Sequence, residues 1–241
     1  MIGLSHSIPP DSIEFVKKQK TSGRCWGISA SKDKILCSIG LTGATDGGVE
    51  IRNIDLRLET KIEIPGSTYS AQQLRGGKLI TKSCNHMGRT FLTSLGTVTN
   101  PIGTIIHEVG YNGNTAFVSD MAATDNQIAV IDYVEKQLRV FTATGDHQFN
   151  ISLADMQWPR GVHLLPYEPA VLVTDRTGGE LRKYPLTAAA KPVWRCRGLG
   201  EPTGVTTDES GLIYVCSHKL KAIHLITEMG LYKFQTLLVR S

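Results

Sequence analysis

An all-β fold built from five blade-sized copies is what the sequence predicts, on three observations. Short Val/Ile/Leu/Tyr runs alternate with Gly, Asn, Asp and Pro almost throughout, and amphipathic stretches at helical spacing are few. One order of strand, turn, strand, polar turn and strand returns along the chain. With Gly27, Ser70, Ser119, Gly161 and Gly204 as equivalent positions the spacings are 43, 49, 42 and 43 residues, the size of a β-propeller blade.

The elements follow in order. The first copy starts at Trp26 (WGISASKDKILCSIG, then GGVEIRNIDL), the second at Tyr69 (YSAQQLRGGKLITKS, then GRTFLTSLG) and the third at Val118 (VSDMAATDNQIAVIDYVEKQLRVFTATG). The clearest two are RGVHLLPYEPAVLVTDRTGGELRKYPL from Arg160 and TGVTTDESGLIYVCSHKLKAIHLITEMG from Thr203. The first and second strands of a copy are joined by SKDK, RGGK, TDNQ or DESG, compositions that tolerate the positive φ of a tight hairpin. Gly47-Gly48, Gly76-Gly77 and Gly178-Gly179 read as turns of the same kind. Outer strands are expected at KIEI, GTIIHE, HQFNISL, PVWRCR and YKFQTLL. A small sheet cannot bury both faces alone, so packing blade on blade must supply the core.

Residues 13–20, IEFVKKQK, predict a surplus strand outside the copies. The expected architecture is therefore a single propeller over 13–241, with five to six four-stranded blades, after a tail at 1–12. A complete or partial sixth blade is favoured, with the N-terminal strand completing the ring.

The two best copies open with Pro159-Arg160-Gly161-Val162 and Pro202-Thr203-Gly204-Val205; the second has the turn Asp208-Glu209-Ser210-Gly211 and the first ends a strand in V-x-D at Asp175. These features resemble the NHL-repeat family, with Ser217 a departure from V-x-D and with three copies lacking the proline. The layout is similar to the C-terminal propellers of invertebrate tripartite-motif proteins. The resemblance implies a domain that selects a partner, protein or RNA, for ubiquitination by a RING and B-box region. No such zinc-binding cysteine array is present in this chain. The regular Trp-Asp dipeptides of WD repeats and the paired glycines of kelch repeats are also missing.

Composition narrows the function. Apolar residues make up 41% and charged residues 20%, which excludes a disordered or collagen-like chain. No apolar run reaches the ~20 residues of a membrane-spanning helix, and MIGLSHSIPPDSIEF has no apolar run resembling a secretory signal; a cytoplasmic protein without a membrane partner is expected. A net charge of +4 permits nucleic acid without indicating it. Five scattered cysteines read as reduced thiols, with Cys37 and Cys216 as buried structural ones. The seven histidines lack zinc spacing, and His163 and His224 read as partly buried strand residues.

No P-loop, G-x-S-x-G or dinucleotide fingerprint occurs, and no cofactor is expected. A metal-dependent propeller enzyme of the gluconolactonase or lyase type is the alternative, although spacing selects no subset of Glu63, Asn100, Asp120 and Asp175 as ligands. The favoured function is non-catalytic recognition of a protein partner, with RNA second.

In a propeller, the outer-to-inner strand connections and the second-to-third strand connections open on one face. Pooling their residues gives Arg24, Lys82, Arg89, Lys136, Arg160, Arg176, Lys219 and Lys221 as bases and Asp46, Asp120, Asp132, Glu135, Asp175 and Glu180 as acids. Trp26 and Tyr69 read as wedges between blades. Trp158 stands beside arginines, an arrangement that combines stacking with bidentate hydrogen bonding. The expected partner site is Arg24, Trp158, Arg160, Arg176 and Lys219.

Overall fold

The computed structural model describes residues 19–31, 34–40, 47–64, 66–74, 79–84, 90–95, 104–109, 118–230 and 232–238; at 31, 83–84, 90–95, 104–109, 118 and 232–238 it describes the backbone alone. These residues hold twenty strands and no helix. Each group of four consecutive strands is one antiparallel meander in chain order. Sheet one is β1 (Cys25–Ser31), β2 (Lys34–Ile39), β3 (Gly47–Asn53) and β4 (Leu58–Ile64); sheet two is β5 (Ser67–Gln73), β6 (Leu79–Cys84), β7 (Thr90–Leu95) and β8 (Thr104–Val109). Sheet three is β9 (Val118–Ala123), β10 (Gln127–Asp132), β11 (Gln137–Thr142) and β12 (His147–Ser152). Sheet four is β13 (Pro159–Leu164), β14 (Ala170–Asp175), β15 (Glu180–Pro185) and β16 (Trp194–Arg197), and sheet five is β17 (Pro202–Thr207), β18 (Ile213–Ser217), β19 (Ala222–Ile226) and β20 (Tyr232–Leu238).

Small antiparallel meanders in series are the blade arrangement of a β-propeller, and every expected outer strand is found. Among the described residues there are five such sheets and no sixth. The surplus strand expected over 13–20 lies outside the described residues apart from Gln19 and Lys20, which are not in a strand. Gly47 and Gly48 begin β3 rather than forming a turn. The RGGK turn with Gly76-Gly77, and the centre of SKDK, lie outside the described residues.

The chain divides into two compact units, one holding sheets one to three and the other sheets four and five. In the first unit, Leu36, Val49, Ile51 and Ile62 of sheet one pack on Ala71 and Leu79 of sheet two. Leu74 and Ile80 then pack on Met121, Ile128, Val130 and Phe141 at sheet three. In the second unit, Leu172, Leu181 and Cys196 of sheet four meet Ile213, Val215 and Ile226 of sheet five. Burying each large aliphatic side chain contributes about 1.5–3 kcal/mol, so sheet-on-sheet contact supplies the core. The fully buried β14 reads AVLVTD for this reason.

Glycine at the motif position has a steric cause. A Cβ at Gly161 would overlap the Thr203 carbonyl oxygen of the next sheet and stand 3.0 Å from Thr174 Oγ1. At Gly27 it would stand 2.5 Å from the Tyr69 carbonyl oxygen. At these two positions the first strands of neighbouring sheets approach too closely for a side chain, whereas a Cβ at Gly204 would meet nothing within 4 Å. A relay fills the space instead: Gly161 N–H donates to Thr174 Oγ1 at 2.8 Å, and that hydroxyl donates to the Thr203 carbonyl at 3.0 Å.

Ion pairs recur at the third strands, within the strand in sheets one and four and from β11 across to β10 in sheet three. Arg52 Nε donates to Glu50 at 2.9 Å, Arg182 Nε to Glu180 at 2.6 Å, and Arg139 Nη2 to Asp132 at 2.7 Å. Glu50, Glu180 and Asp132 are all buried. The first pair also ties in the preceding segment, through Ser22 N–H to Glu50 at 2.6 Å and Arg52 to the Lys20 carbonyl at 3.0 Å.

Cys25, Cys37, Cys196 and Cys216 are free, with Cys37 and Cys196 buried and Cys25 exposed. Cys216 is exposed, contrary to the buried position expected of it. Strand alternation explains this, since Ile213, Val215 and Ser217 face inward and Cys216 points the other way. His224 is buried with Nε2 3.2 Å from the Leu199 carbonyl, and half-buried His163 meets Thr207 Oγ1 at 2.9 Å. No helix among the described residues is long and apolar enough to cross a membrane.

Candidate functional site

Among the described residues, the second-to-third strand turns of sheets three, four and five share one construction. Asp175 Oδ1 accepts from Gly178 N–H at 3.0 Å, Asp132 Oδ1 from Glu135 N–H at 3.1 Å, and Ser217 Oγ from Leu220 N–H at 3.2 Å. The residue that closes each turn has positive φ: Gly179 at 66°, Lys136 at 49° and Lys221 at 51°. Ser217 departs from V-x-D because a hydroxyl supplies the one acceptor this turn uses. Asp175 does more, since Oδ1 also accepts from Trp158 N–H at 2.8 Å and Oδ2 accepts from Gln157 N–H at 2.7 Å. The carboxylate fixes the residue on which the site is built.

A second repeated bond places that residue. The Trp158 carbonyl accepts from Arg176 N–H at 2.8 Å, the Glu201 carbonyl from His218 N–H at 2.9 Å, and the Arg24 carbonyl from Gly40 N–H at 2.8 Å. Arg24, Trp158 and Glu201 therefore occupy one position in three copies, just ahead of β1, β13 and β17. Their side chains stand at the loop edge.

In the second unit these positions converge. The Arg176 guanidinium lies 5.0 Å over the Trp158 ring, while its Nη2 reaches Glu201 of the next sheet at 3.0 Å. His218 Nδ1 stands 3.5 Å from the same carboxylate oxygen. The hydrogen bond from Arg176 holds the Glu201 carboxyl below the usual carboxylate range. Trp158 stays 39% exposed, enough to offer a ring edge to a partner. Lys219 is exposed in the turn after His218, and Arg160 is exposed on β13.

In the first unit the same theme recurs. Arg24 lies 5.1 Å from the Trp26 ring, Trp26 and Tyr69 meet at 5.5 Å, and Lys82 lies 5.3 Å from Tyr69. Trp26 and Tyr69 do bridge sheets one and two, and Trp26 is still 49% exposed. Each such cation–π contact contributes ~0.5–1 kcal/mol at an exposed site.

The structure thus brings Trp158 and Arg176 together and places Lys219 one residue from His218; Arg24 belongs to the other unit. Several pooled charges are not surface groups. Lys82 is buried and donates to the Ser119 carbonyl at 3.0 Å, and Asp132, Asp175 and Glu180 are buried as turn acceptors or ion-pair members. Arg89, Asp46 and Asn100 lie outside the described residues. Glu201 and His218 were missed. Their signal is positional: Glu201 precedes Pro202 as Trp158 precedes Pro159.

Elsewhere in the second unit a cavity of about 170 Å³ opens between the β13–β14 and β17–β18 turns, lined by Tyr167, Glu168, Lys183, Glu209, Ser210 and Glu228 among others. Lys183 is ion-paired with Glu168 there. Among the described residues no three His, Cys, Asp or Glu side chains come together to hold a metal. Of the four candidate ligands, Glu63 is exposed on β4 and Asp175 is committed to backbone N–H groups.

No protein-family model matches the chain, and no curated protein matches it. Solved structures do. A protein of unknown function from Bacteroides caccae shares 16% identity over 90% of this chain and 82% of its own, with a TM-score of 0.62. A catalytically inactive virginiamycin B lyase from Staphylococcus aureus, solved with quinupristin, shares 11% identity over 93% and 74%, with a TM-score of 0.67. A streptogramin B lyase shares 14% over 87% and 67%, with a TM-score of 0.63. These likenesses are of fold, that of a propeller.

Proposed function

We propose that the chain is a recognition module that binds a protein partner through the Trp158–Arg176–Glu201–His218 ledge, with Lys219, Arg160 and Arg24 adding charge to the same class of loops. The observation that carries this is the triple arrangement in which Arg176 covers an exposed tryptophan while bonded to a carboxylate. Arg176 is already neutralised by Glu201, so the ledge offers a charge-balanced, partly aromatic surface. Such surfaces suit protein side chains of both signs, whereas a phosphate backbone is drawn to uncompensated cations. The NHL resemblance supports a recognition domain of a tripartite-motif-like ubiquitin ligase acting in the cytoplasm. On this reading the five sheets are blades of a single propeller.

The test is quantitative capture of partners by the whole chain and by an Arg24→Ala, Arg160→Ala, Arg176→Ala variant with unchanged circular dichroism. Loss of captured protein at least ~10-fold, insensitive to ribonuclease, is expected. Retained binding by the variant overturns the placement, and ribonuclease-sensitive binding with a steep salt dependence makes the partner RNA.

The likeness to the two lyases favours a second reading, a lyase-type propeller enzyme. The described residues do not form a metal-holding group, so no catalytic step is assigned. Turnover of a streptogramin B antibiotic that chelator abolishes would establish this reading in place of the first.

A further inference from the structure

Cys25 and Cys37 sit on adjacent strands of sheet one. The register opposes Cys25 to Ile39 and Cys37 to Ile28, with the bulge at Trp26 between, so the two cysteines share one face of the β1–β2 pair one diagonal step apart. Each thiol shifts the titration of the other, as two sulfurs within mutual reach do, and Cys25 Sγ also lies 3.3 Å from the Gly27 carbonyl oxygen. Cys25 is exposed and Cys37 is buried. This asymmetry divides the labour of an oxidisable pair: one sulfur meets the oxidant and the other waits behind it. We propose that Cys25 and Cys37 form a peroxide-sensitive dithiol that closes to an intramolecular disulfide.

The chemistry balances in two steps. The Cys25 thiolate attacks the outer oxygen of a hydroperoxide; the O–O bond breaks, Cys25 becomes a sulfenic acid, and the displaced oxygen takes a proton to leave as alcohol or water. The Cys37 thiol then attacks the sulfenic sulfur, forming the S–S bond and expelling water. Two thiols are oxidised by two electrons and one peroxide is reduced. The neighbouring Cys37 thiol lowers the Cys25 thiol to about 7, with Arg52 adding to this and burial and Glu50 opposing it. A lowered thiol carries more thiolate, the reactive form, at neutral pH than an ordinary cysteine does. The Cys25 sulfur and burial push the Cys37 thiol up, keeping it protonated until Cys25 has reacted. Cys216 is an internal control, being exposed with a thiol that burial raises.

The test treats the reduced full chain with hydrogen peroxide at neutral pH. The expected product is ~2 Da lighter and yields a Cys25–Cys37 linked peptide on digestion. Iodoacetamide should label Cys25 at least ~10-fold faster than Cys216. In Cys37→Ser the reaction should stop at a sulfenic acid trapped by dimedone on Cys25, and in Cys25→Ser the peroxide should leave Cys37 unmodified. If Cys37→Ser does not fold, peptide mapping of the parent decides. Cys25 labelling no faster than Cys216, or disulfides joining other cysteines in place of this pair, overturns the proposal.

Discussion

The P-x-G-V glycines offer a test in which one substitution, made in two copies of one motif, has opposite outcomes. At Gly161 a methyl group would overlap the Thr203 carbonyl oxygen and crowd Thr174 Oγ1 and the Thr203 carbonyl carbon, both at 3.0 Å. The obstacle is backbone, so relief requires β17 to withdraw from β13. Overpacking of this kind costs about 1–3 kcal/mol. Withdrawal also stretches the relay from Gly161 N–H through Thr174 to Thr203, worth ~1 kcal/mol. Gly161→Ala should therefore lose about 2–4 kcal/mol, or ~5–15 °C in Tm for a chain of this length. At Gly204 a Cβ meets nothing within 4 Å. Gly204→Ala should leave stability unchanged or raise it by about 0.4–1 kcal/mol, because alanine restricts the unfolded chain. Thermal and urea denaturation of both variants beside the parent decides the matter. A Gly161→Ala protein within 1 °C of the parent, or a Gly204→Ala protein as destabilised as Gly161→Ala, would refute the close-approach account.

Three other expectations follow from the buried polar groups and strained turns. Arg182→Ala leaves Glu180 buried without its main partner and should cost about 3–5 kcal/mol in urea denaturation, with a Glu180→Leu, Arg182→Met double variant much closer to the parent. Lys136→Gly and Lys221→Gly relieve positive φ at non-glycine residues and should each raise stability by ~1 kcal/mol, measured as Tm; no gain would show that the turns carry no strain. Burial lowers His163 from 6.5 to about 4, so it stays neutral in the fold where the unfolded chain binds a proton. Stability should be unaffected by His163 above pH 6.5 and fall, by on the order of 3 kcal/mol in total, between pH 6.5 and 4. His163→Gln should flatten that part of the stability profile relative to the parent.

The meanders were legible because their signals are local. Alternation and turn chemistry lie within one copy and return every 42 to 49 residues, and the outer strands at KIEI, HQFNISL and PVWRCR appear as β4, β12 and β16. What could not be read depends on how one copy meets its neighbour. Cys216 ends an apolar run as Cys37 does, yet the phase of β18 turns it outward. Asp132, Asp175 and Glu180 look like loop charges until the turn and third-strand bonds claim them. The Glu50-Ile51-Arg52 and Glu180-Leu181-Arg182 pairs repeat visibly in the sequence, but only the register shows that each pair folds back on itself inside the sheet.

The candidate site inherits its precision from that same scaffold. Asp175 closes its turn through Gly178 and, with its remaining lone pairs, holds the N–H groups of Gln157 and Trp158. Arg176 follows it directly and is held by the Trp158 carbonyl. Both partners of the cation–π contact are thus fixed by one buried carboxylate, and Glu201 is fixed in turn by the His218 N–H of the next sheet. On the proposed reading, a partner side chain at the ledge would find the ring and guanidinium already oriented and would lose little entropy in ordering them. The scaffold asks only for an acceptor at the end of the second strand and a backbone bond beside it, so the side chain ahead of the first strand is free to differ. Arginine, tryptophan and glutamate stand there at positions 24, 158 and 201. On the proposed reading, recognition would therefore vary at this position between the copies at 158 and 201, while the turn beneath each keeps its acceptor and backbone bond.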